Sequence, residues 1–395
     1  MTPRLSRSRP ACGASRAAAA RLFISRRYLP HLSARCLLAS CLLASCLFAP
    51  AASAQKVVSY GADFLAGGIG GRALGMGGAH VAVARDVSAA YWNAAGLSRM
   101  EYPEVAYMHA ERFAGVVSFD YGSVGWPVNE RSTLGLSFFR SGVNDIKNTL
   151  DAWDPERDQP VANPGDHIST FSAADAALFV SYARAVRPGL AAGVSAKIVR
   201  RNIGDFANAW GYSFDVGARY RVGSFVLGAN LQDVAGMRQS WSVDQDLLSN
   251  IEDVFGQELP TGGVEIVLPV ARLGSAYLLD LGDHVVTLGL DVDLAFDGQR
   301  AYVLNTGEVS YHPRVGAEYS FRDLVAVRAG MTDVLKTDRD GWNVSPTVGA
   351  GLHLRRLAVD YGFGDFAGLA ADLGYSHRIS ARLTLARASW QRDGE

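Results

Sequence analysis

The chain has 395 residues, of which 49 % are hydrophobic, 19 % are charged and 42 are glycine, a composition that excludes an intrinsically disordered protein. Its formal net charge of -1 hides an uneven distribution, because residues 1–54 contain eight arginines and no acidic residue. Subtracting those eight leaves 30 basic against 39 acidic residues, or about -9, and this acidic body argues against nucleic acid as a partner.

The start of the chain has the three parts of a secretory signal peptide. A basic segment ends near Arg35, an apolar run covers 36–50, and an A-x-A cleavage site ends at Ala54. A second interpretation is a lipoprotein leader that is cleaved before Cys41 or Cys46. All four cysteines lie in this leader, so cleavage after Ala54 leaves a chain without disulfides, thiolate metal ligands or a cysteine nucleophile. These are Cys12, Cys36, Cys41 and Cys46.

Period-two alternation of apolar and polar residues dominates the remaining sequence. The segments 211–222 and 285–297 reach the length of roughly nine to eleven residues that a strand needs to cross a bilayer. Their polar sides carry charges and glycines, which suits a wet or plugged lumen, and their apolar sides carry Leu, Val and aromatic residues, which suits lipid. A soluble β-sandwich is the alternative, because its strands also alternate.

The connections between these strands alternate in length, as in outer-membrane barrels with short periplasmic turns and long outer loops. Short turns are predicted at 187–189, 222–224, 281–283, 321–323 and 353–356, and long connections at 141–171, 202–209, 232–260, 297–311 and 332–346. We therefore predict an all-β, transmembrane antiparallel β-barrel of about 14 strands over 101–390. A signal peptide over 1–54 and an N-terminal hatch or plug segment over 55–100 precede it.

The hatch prediction rests on residues 67–97, the densest glycine region and the least like a strand. Its small residues predict a compact turn–strand–helix unit that fits inside a lumen, with an apolar piece at 79–84 and a short helix through Trp92 that Asp86 caps. Residues 68–73 also fit a dinucleotide-binding fingerprint. No clear strand precedes them and no α/β alternation follows, which disfavours a nucleotide site.

Two motifs in this stretch, GRALGMGGA from Gly71 and DVSAAYWNAAGL from Asp86, resemble the N-terminal signature of the PorV/PorQ family. That family is related to FadL-type outer-membrane transporters of hydrophobic compounds. Ala94 stands where the family has proline, so the turn after Asn93 departs from its pattern. The resemblance implies that 57–97 partly fills a fourteen-stranded barrel. The residues that carry the motif are Gly71, Arg72, Ala73, Gly75, Met76, Gly77, Gly78, Asp86, Ser88, Tyr91, Trp92, Asn93 and Gly96.

The sequence predicts no catalytic, cofactor or metal site. The histidines outside the leader do not pair at metal-ligand spacing, and Ser195 lacks the second glycine of a nucleophile elbow. Asp291 and Asp293 share one strand face, which indicates either paired carboxylates or a polar lumen face that arginines balance. We favour the lumen face and therefore a protein that is not an enzyme. Its candidate residues are Arg219, Arg221, Asp291, Asp293, Arg314 and Glu318.

Two functions follow from the resemblance. The first is a component of protein export of the type IX secretion kind, in which loops 141–171 and 232–260 contact secretion machinery or exported cargo. The alternative is a FadL-like channel, in which the hatch gates apolar small molecules. A structural barrel with neither activity is the third hypothesis. All three place the chain in the lipid of a bacterial outer membrane.

Overall fold

A computed structural model of the chain describes residues 63–154, 156–157, 159–248, 262–296, 304–305, 309–337, 341–366 and 374–385, apart from the side chains of 304–305 and 333–343. The predicted signal peptide, residues 55–62 of the predicted hatch and residues 386–390 of the predicted barrel lie outside them. The structural statements below concern the described residues.

The described residues form a closed antiparallel barrel of fourteen strands, in which the first strand pairs with the last. Residues 233–236 and 268–269 interrupt β7 and β8, so each of these strands consists of two ladder segments. Closure leaves no strand edge unpaired. The strands are β1 (Glu104–Arg112), β2 (Val117–Asn129), β3 (Ser132–Asn148), β4 (Ser169–Arg187), β5 (Leu190–Ile203), β6 (Ala207–Val222), β7 (Phe225–Gln232 with Met237–Val243), β8 (Gly263–Val267 with Val270–Asp280), β9 (His284–Ala295), β10 (Ser310–Phe321), β11 (Val325–Thr337), β12 (Gly341–Leu354), β13 (Leu357–Gly364) and β14 (Ser376–Thr384).

The helices are short, and four of them precede the barrel. The α-helices are α1 (Gly71–Gly75) and α2 (Ala89–Trp92), and the 3-10 helices are Asp63–Leu65, Ala94–Arg99, Leu150–Ala152, Pro164–His167 and Asp246–Leu248. None of the helices within the described ranges is long and apolar enough to cross a lipid bilayer. A two-residue ladder, Trp153–Asp154 with Gln159–Pro160, lies in the connection from β3 to β4.

The barrel has polar residues inside and apolar residues outside. On β6, the outward side chains of Tyr212 and Phe214 are 61 % and 58 % exposed. Asp215, the next residue along the strand, points inward and is 4 % exposed. Leu290 and Asp291 on β9 show the same contrast. A continuous apolar band of this kind is far larger than the patches that soluble proteins expose, and it is the surface of a barrel in lipid. The predicted fold class, including the N-terminal hatch, is confirmed.

The predicted short turns lie at one end of the barrel, which we call the short-turn end; the long-loop end is opposite.

Several strands run further than predicted. β3 and β4 extend into the predicted loop 141–171, and β11 and β12 extend into 332–346. Ladder hydrogen bonds join backbone groups, so a strand continues where its side chains turn polar and the alternation that reveals it in the sequence fades.

The outward face generates a testable prediction. Leu290 is half-exposed at the middle of β9. Leu290→Arg places a charge near the bilayer midplane and should lower the free energy of unfolding in liposomes by about 2–4 kcal/mol. Leu281→Arg, in the turn before β9, is the matched control and should cost about 0–1 kcal/mol. Equal losses for the two variants would contradict the assignment of a lipid-facing band.

Candidate functional site

The site is the lumen of the barrel together with residues 63–100, which we call the hatch. The hatch runs around the inside of the wall and meets the strands in reverse chain order. Gly71 lies against β13, Gly75 against β12, Ala79 against β9, Ala94 against β5 and Met100 against β2. The chain then leaves the lumen at the short-turn end and enters β1.

The wall presents a glycine to the hatch on eleven of the fourteen strands, and we call this set the glycine ring. A Cβ atom at Gly362 would lie 2.5 Å from the carbonyl oxygen of Gly71, and one at Gly349 would lie 2.9 Å from the Cα of Gly75. Any side chain there would overlap the hatch backbone, which is the reason for glycine inside these strands. The ring consists of Gly125, Gly135, Gly193, Gly217, Gly228, Gly274, Gly289, Gly316, Gly330, Gly349 and Gly362.

Side chains of the wall satisfy backbone groups of the hatch. The N–H groups of His80 and Val81 donate to Asp291 Oδ2 at 2.6 and 2.7 Å, and the N–H of Gly71 donates to Ser380 Oγ at 3.0 Å. Arg219 Nε donates to the carbonyl oxygen of Ala82 at 3.2 Å. Irregular backbone at membrane depth needs such partners, because lipid supplies none.

A chain of buried charges ties α1 to the wall. Arg72 donates to both carboxylate oxygens of Glu318, at 2.8 and 2.7 Å. Arg328 lies 2.6 Å from the same carboxylate and 2.8 Å from Asp360. Because these groups are out of bulk water, each charge depends on its partner. Arg72, a motif residue, is thus the one residue of the hatch in this network, and the others belong to the wall.

Three further motif residues, Tyr91, Trp92 and Asn93, donate to backbone carbonyl oxygens of the hatch. Asn93 donates to the carbonyl oxygens of Val81 and Ala218 at 3.2 and 3.0 Å, so it joins two parts of the hatch to β6. Trp92 Nε1 donates to the carbonyl oxygen of Ile69 at 3.2 Å. The Tyr91 hydroxyl donates to the carbonyl oxygen of Leu65.

The predicted turn–strand–helix unit is wrong in two details. Residues 79–84 contain a turn at 81–83 and no strand, because Asp291 takes the N–H groups of His80 and Val81 that a ladder would use. Ser88 is the N-cap of α2, and Asp86 instead accepts the N–H of Ser88 at 2.9 Å in a turn before the helix. Ala94 stands where the PorV/PorQ pattern has proline. The backbone of Asn93 before it is extended, and a 3-10 helix begins at Ala94.

Five of the six predicted lumen residues are buried inside the barrel: Arg219, Asp291, Asp293, Arg314 and Glu318. Asp293 does not pair with Asp291. It lies 2.7 Å from Arg314 and 3.4 Å from Arg272. Arg221 is exposed near the short-turn end, where its Nε donates to the carbonyl oxygen of Gly223. Arg221 follows Arg219 by two residues and shares its strand face, which is why the alternation in the sequence predicted both as lumen residues.

Two ionisable groups of the hatch have displaced pKa values. Burial and the nearby charge of Arg72 lower the pKa of His80 to about 4, so its imidazole is neutral. Burial opposes the charge of Asp86, but Arg382, the Ser88 hydroxyl and Arg72 together hold the pKa of this carboxyl below its usual range. Asp86 therefore adds a negative charge to the hatch at neutral pH.

An aromatic cluster between the hatch and the first strands was missed by the sequence analysis. Tyr91 lies 6.3 Å from Phe139 and 6.1 Å from Phe179, measured between ring centroids, and Phe64 lies 6.0 Å from Phe139. Phe139 and Phe179 point inward from β3 and β4, against the rule that polar residues fill the lumen. The lumen therefore has an apolar side near β2–β4 and a charged side near β8–β14.

Cavities lie on both sides of the hatch. One of about 250 Å³ lies toward the long-loop end, where Tyr91, Trp92 and Phe179 meet charged residues of the wall, including Arg272 and Arg314. We call it the upper cavity. The other, of about 560 Å³, lies among the turns of the short-turn end. Its cationic lining residues are Arg99, Arg131, Arg187, Arg219 and Arg221.

No protein-family model and no curated protein sequence matches this chain. Solved structures do match. The Ralstonia pickettii toluene transporter TbuX has a TM-score of 0.50 and 14 % identity, over 81 % of this chain and 99 % of that one. The Pseudomonas putida toluene transporter TodX has a TM-score of 0.52 and 12 % identity, over 81 % and 99 %. This chain has their fold. A Pseudomonas aeruginosa FadL homologue matches with a TM-score of 0.48 and 14 % identity, over 80 % and 98 %.

The glycine ring gives a prediction. In Gly316→Ala the new methyl group would overlap the backbone of Met76, so we expect a loss of about 1–3 kcal/mol in unfolding free energy and a rise in conductance in planar bilayers. Gly122→Ala is the control, because nothing lies within 4 Å of a Cβ there. If both variants behave like the wild type, the hatch does not press against the ring.

The charge network gives another prediction. Glu318→Gln leaves Arg72 without its carboxylate, and breaking a buried pair in this way should cost about 3–5 kcal/mol in urea unfolding. The control is Asp283→Asn, which breaks the exposed pair with Arg322 and should cost about 1 kcal/mol or less. A Glu318→Gln loss as small as that of the control would mean that the network does not hold the hatch.

Proposed function

We propose that this protein is a channel for apolar small molecules in a bacterial outer membrane, and that the hatch is its gate. The observation that carries the proposal is the hatch itself, which occupies much of the lumen of a lipid-facing barrel and leaves a cavity on each side. The sequence analysis gave this channel as the alternative to protein export. The solved structures that share the fold are toluene transporters by name, which favours it over protein export.

The hatch suits a gate because, away from the aromatic cluster, its attachment to the wall is polar. Hydrogen bonds and ion pairs to the wall can be exchanged one at a time for water, whereas a strand of the barrel cannot leave without opening a ladder. The glycine ring contributes no side chains that would interlock with the hatch. The aromatic side of the lumen offers an apolar path beside it.

The placement in the outer membrane follows from the outward apolar band, and the predicted signal peptide supplies the route of export. We propose cleavage after Ala54, with lipidation at Cys41 or Cys46 as the other outcome. Mass spectrometry of the intact protein from its native membrane distinguishes the two.

A reversible disulfide between the hatch and the wall tests whether the hatch is the gate. A Cβ atom at Gly289 would lie 3.3 Å from the Cβ of Ala79, close to the spacing of about 3.5–4.5 Å in disulfides. All four native cysteines lie within 1–54, so after cleavage the double variant Ala79→Cys/Gly289→Cys has only the introduced pair. We expect intact bacterial cells that carry the oxidised variant in their outer membrane to lose most of the added uptake of radiolabelled toluene and to regain it on reduction. Whole cells are used because toluene crosses a plain phospholipid bilayer without a channel.

The two single cysteine variants are the controls for this disulfide, because they carry the same substitutions and cannot form the bond. Uptake by the oxidised double variant at the rate of the single variants would refute the gate. Absence of uptake by cells with the wild-type protein above cells that lack it would refute the channel.

Protein export of the PorV/PorQ type is the second candidate. It is supported by the motif residues, which build the hatch, and by the basic turns at the short-turn end, which suit an acidic protein partner. Gentle purification from native membrane, followed by mass spectrometry, tests it. Recovery of secretion components or exported cargo would favour export, whereas recovery of apolar compounds alone would favour transport.

A further inference from the structure

We propose that the upper cavity binds a compact aromatic carboxylate, and that Arg272 and Arg314 recognise its anionic group. The inference rests on the proposed transport function and specifies its substrate. It differs from what the names of TbuX and TodX state for those proteins, since toluene has no charged group.

The charge of the upper cavity is the first argument. Four arginines line it, Arg112, Arg272, Arg314 and Arg378, and the aspartates near them are Asp293 and Asp365. Lys197 also lines it, but that ammonium lies 3.0 Å from Asp215 and 2.8 Å from Asp233. The arginine side of the cavity therefore has two positive charges more than it has carboxylates.

Unused hydrogen-bond donors are the second argument. Among the described residues, no acceptor lies in good hydrogen-bond geometry to Nη1 of Arg272 or Nη1 of Arg314, and both atoms are buried. The nearest polar side chain of the hatch to Arg272 is Tyr91, whose hydroxyl already donates to Leu65. Both side chains are more than nine-tenths buried. Asp293 lies near both arginines, yet it reaches only part of each guanidinium. A buried donor without a partner is costly, and a carboxylate between two guanidinium groups would satisfy both.

The apolar wall of the same cavity is the third argument. Tyr91, Trp92 and Phe179 line it, and the Arg272 guanidinium lies 5.7 Å from the Trp92 ring. Aromatic side chains favour an aromatic ligand by edge-to-face and offset contacts. The volume of about 250 Å³ is below the range of about 300–1,000 Å³ that is usual for drug-sized ligands, so the ligand is compact.

Calorimetry on the full barrel in lipid nanodiscs, with empty nanodiscs subtracted, tests the inference without any variant. The probes are benzoate, its neutral analogue benzamide, and toluene. We expect benzoate to bind about ten- to a hundredfold more tightly than benzamide, the difference that one charge-assisted hydrogen bond makes. Equal binding of benzoate and benzamide would overturn the inference.

Arg272→Gln assigns the recognition to the arginine. It should weaken benzoate binding by about ten- to a hundredfold and leave toluene binding unchanged. Arg322→Gln removes an exposed arginine in the turn after β10 and is the matched control, which should bind benzoate like the wild type. A normal affinity of Arg272→Gln for benzoate would overturn the role of Arg272.

The outcomes separate the two proposals. Binding of toluene without benzoate overturns the carboxylate inference and leaves the channel for apolar molecules standing. Binding of neither probe overturns the carboxylate inference, and the toluene uptake of the wild type decides the channel.

Discussion

The structure depends on how closely the hatch backbone approaches the barrel wall. The hatch passes eleven strands so closely that a methyl group at most of the facing positions would overlap it, and the wall meets it with glycine at each of them. Where the hatch backbone itself faces a glycine, the wall offers no side chain for packing, and the attachment there depends on hydrogen bonds and ion pairs from neighbouring wall residues. That explains why Asp291, Ser380 and Arg219, all on the wall, each contact a main-chain group of the hatch.

The close approach also determines the charge pattern of the lumen. A segment of irregular backbone brings many N–H and C=O groups into a space without bulk water, and acids and arginines of the wall satisfy some of them. Those charges must in turn balance each other, as Glu318 does between Arg72 and Arg328. The aromatic cluster around Tyr91 fills the side of the lumen where two parts of the hatch meet, as Tyr91 and Leu65 do. The upper cavity lies where these two environments meet.

Much of the barrel could be predicted from the sequence because a strand in lipid leaves a local signal. Alternation across Tyr212, Phe214 and Val216 identifies the outward face without knowledge of any neighbour. The glycines on the polar faces predicted a plugged or wet lumen. Which glycine meets which hatch residue depends on the register of fourteen strands, and no local pattern encodes that register.

The contacts of the hatch could not be predicted for the same reason. The N–H of Gly71 bonds to Ser380, which is 309 residues away in the sequence, and Arg72 bonds to Glu318, 246 residues away. Phe139 and Phe179 were missed because inward aromatic residues interrupt a polar face without changing the period. The family resemblance ranked protein export ahead of the channel, because the motif residues that carry it lie in the hatch and say nothing of what the lumen admits.

The most direct test of the account is the conductance of a chain that lacks residues 67–97, measured in planar bilayers beside the full-length protein. Circular dichroism and heat-dependent gel migration first establish that the shortened barrel folds. The account predicts a larger and stable conductance, because the removed segment occupies the lumen. A folded barrel whose conductance equals that of the full-length protein would contradict it.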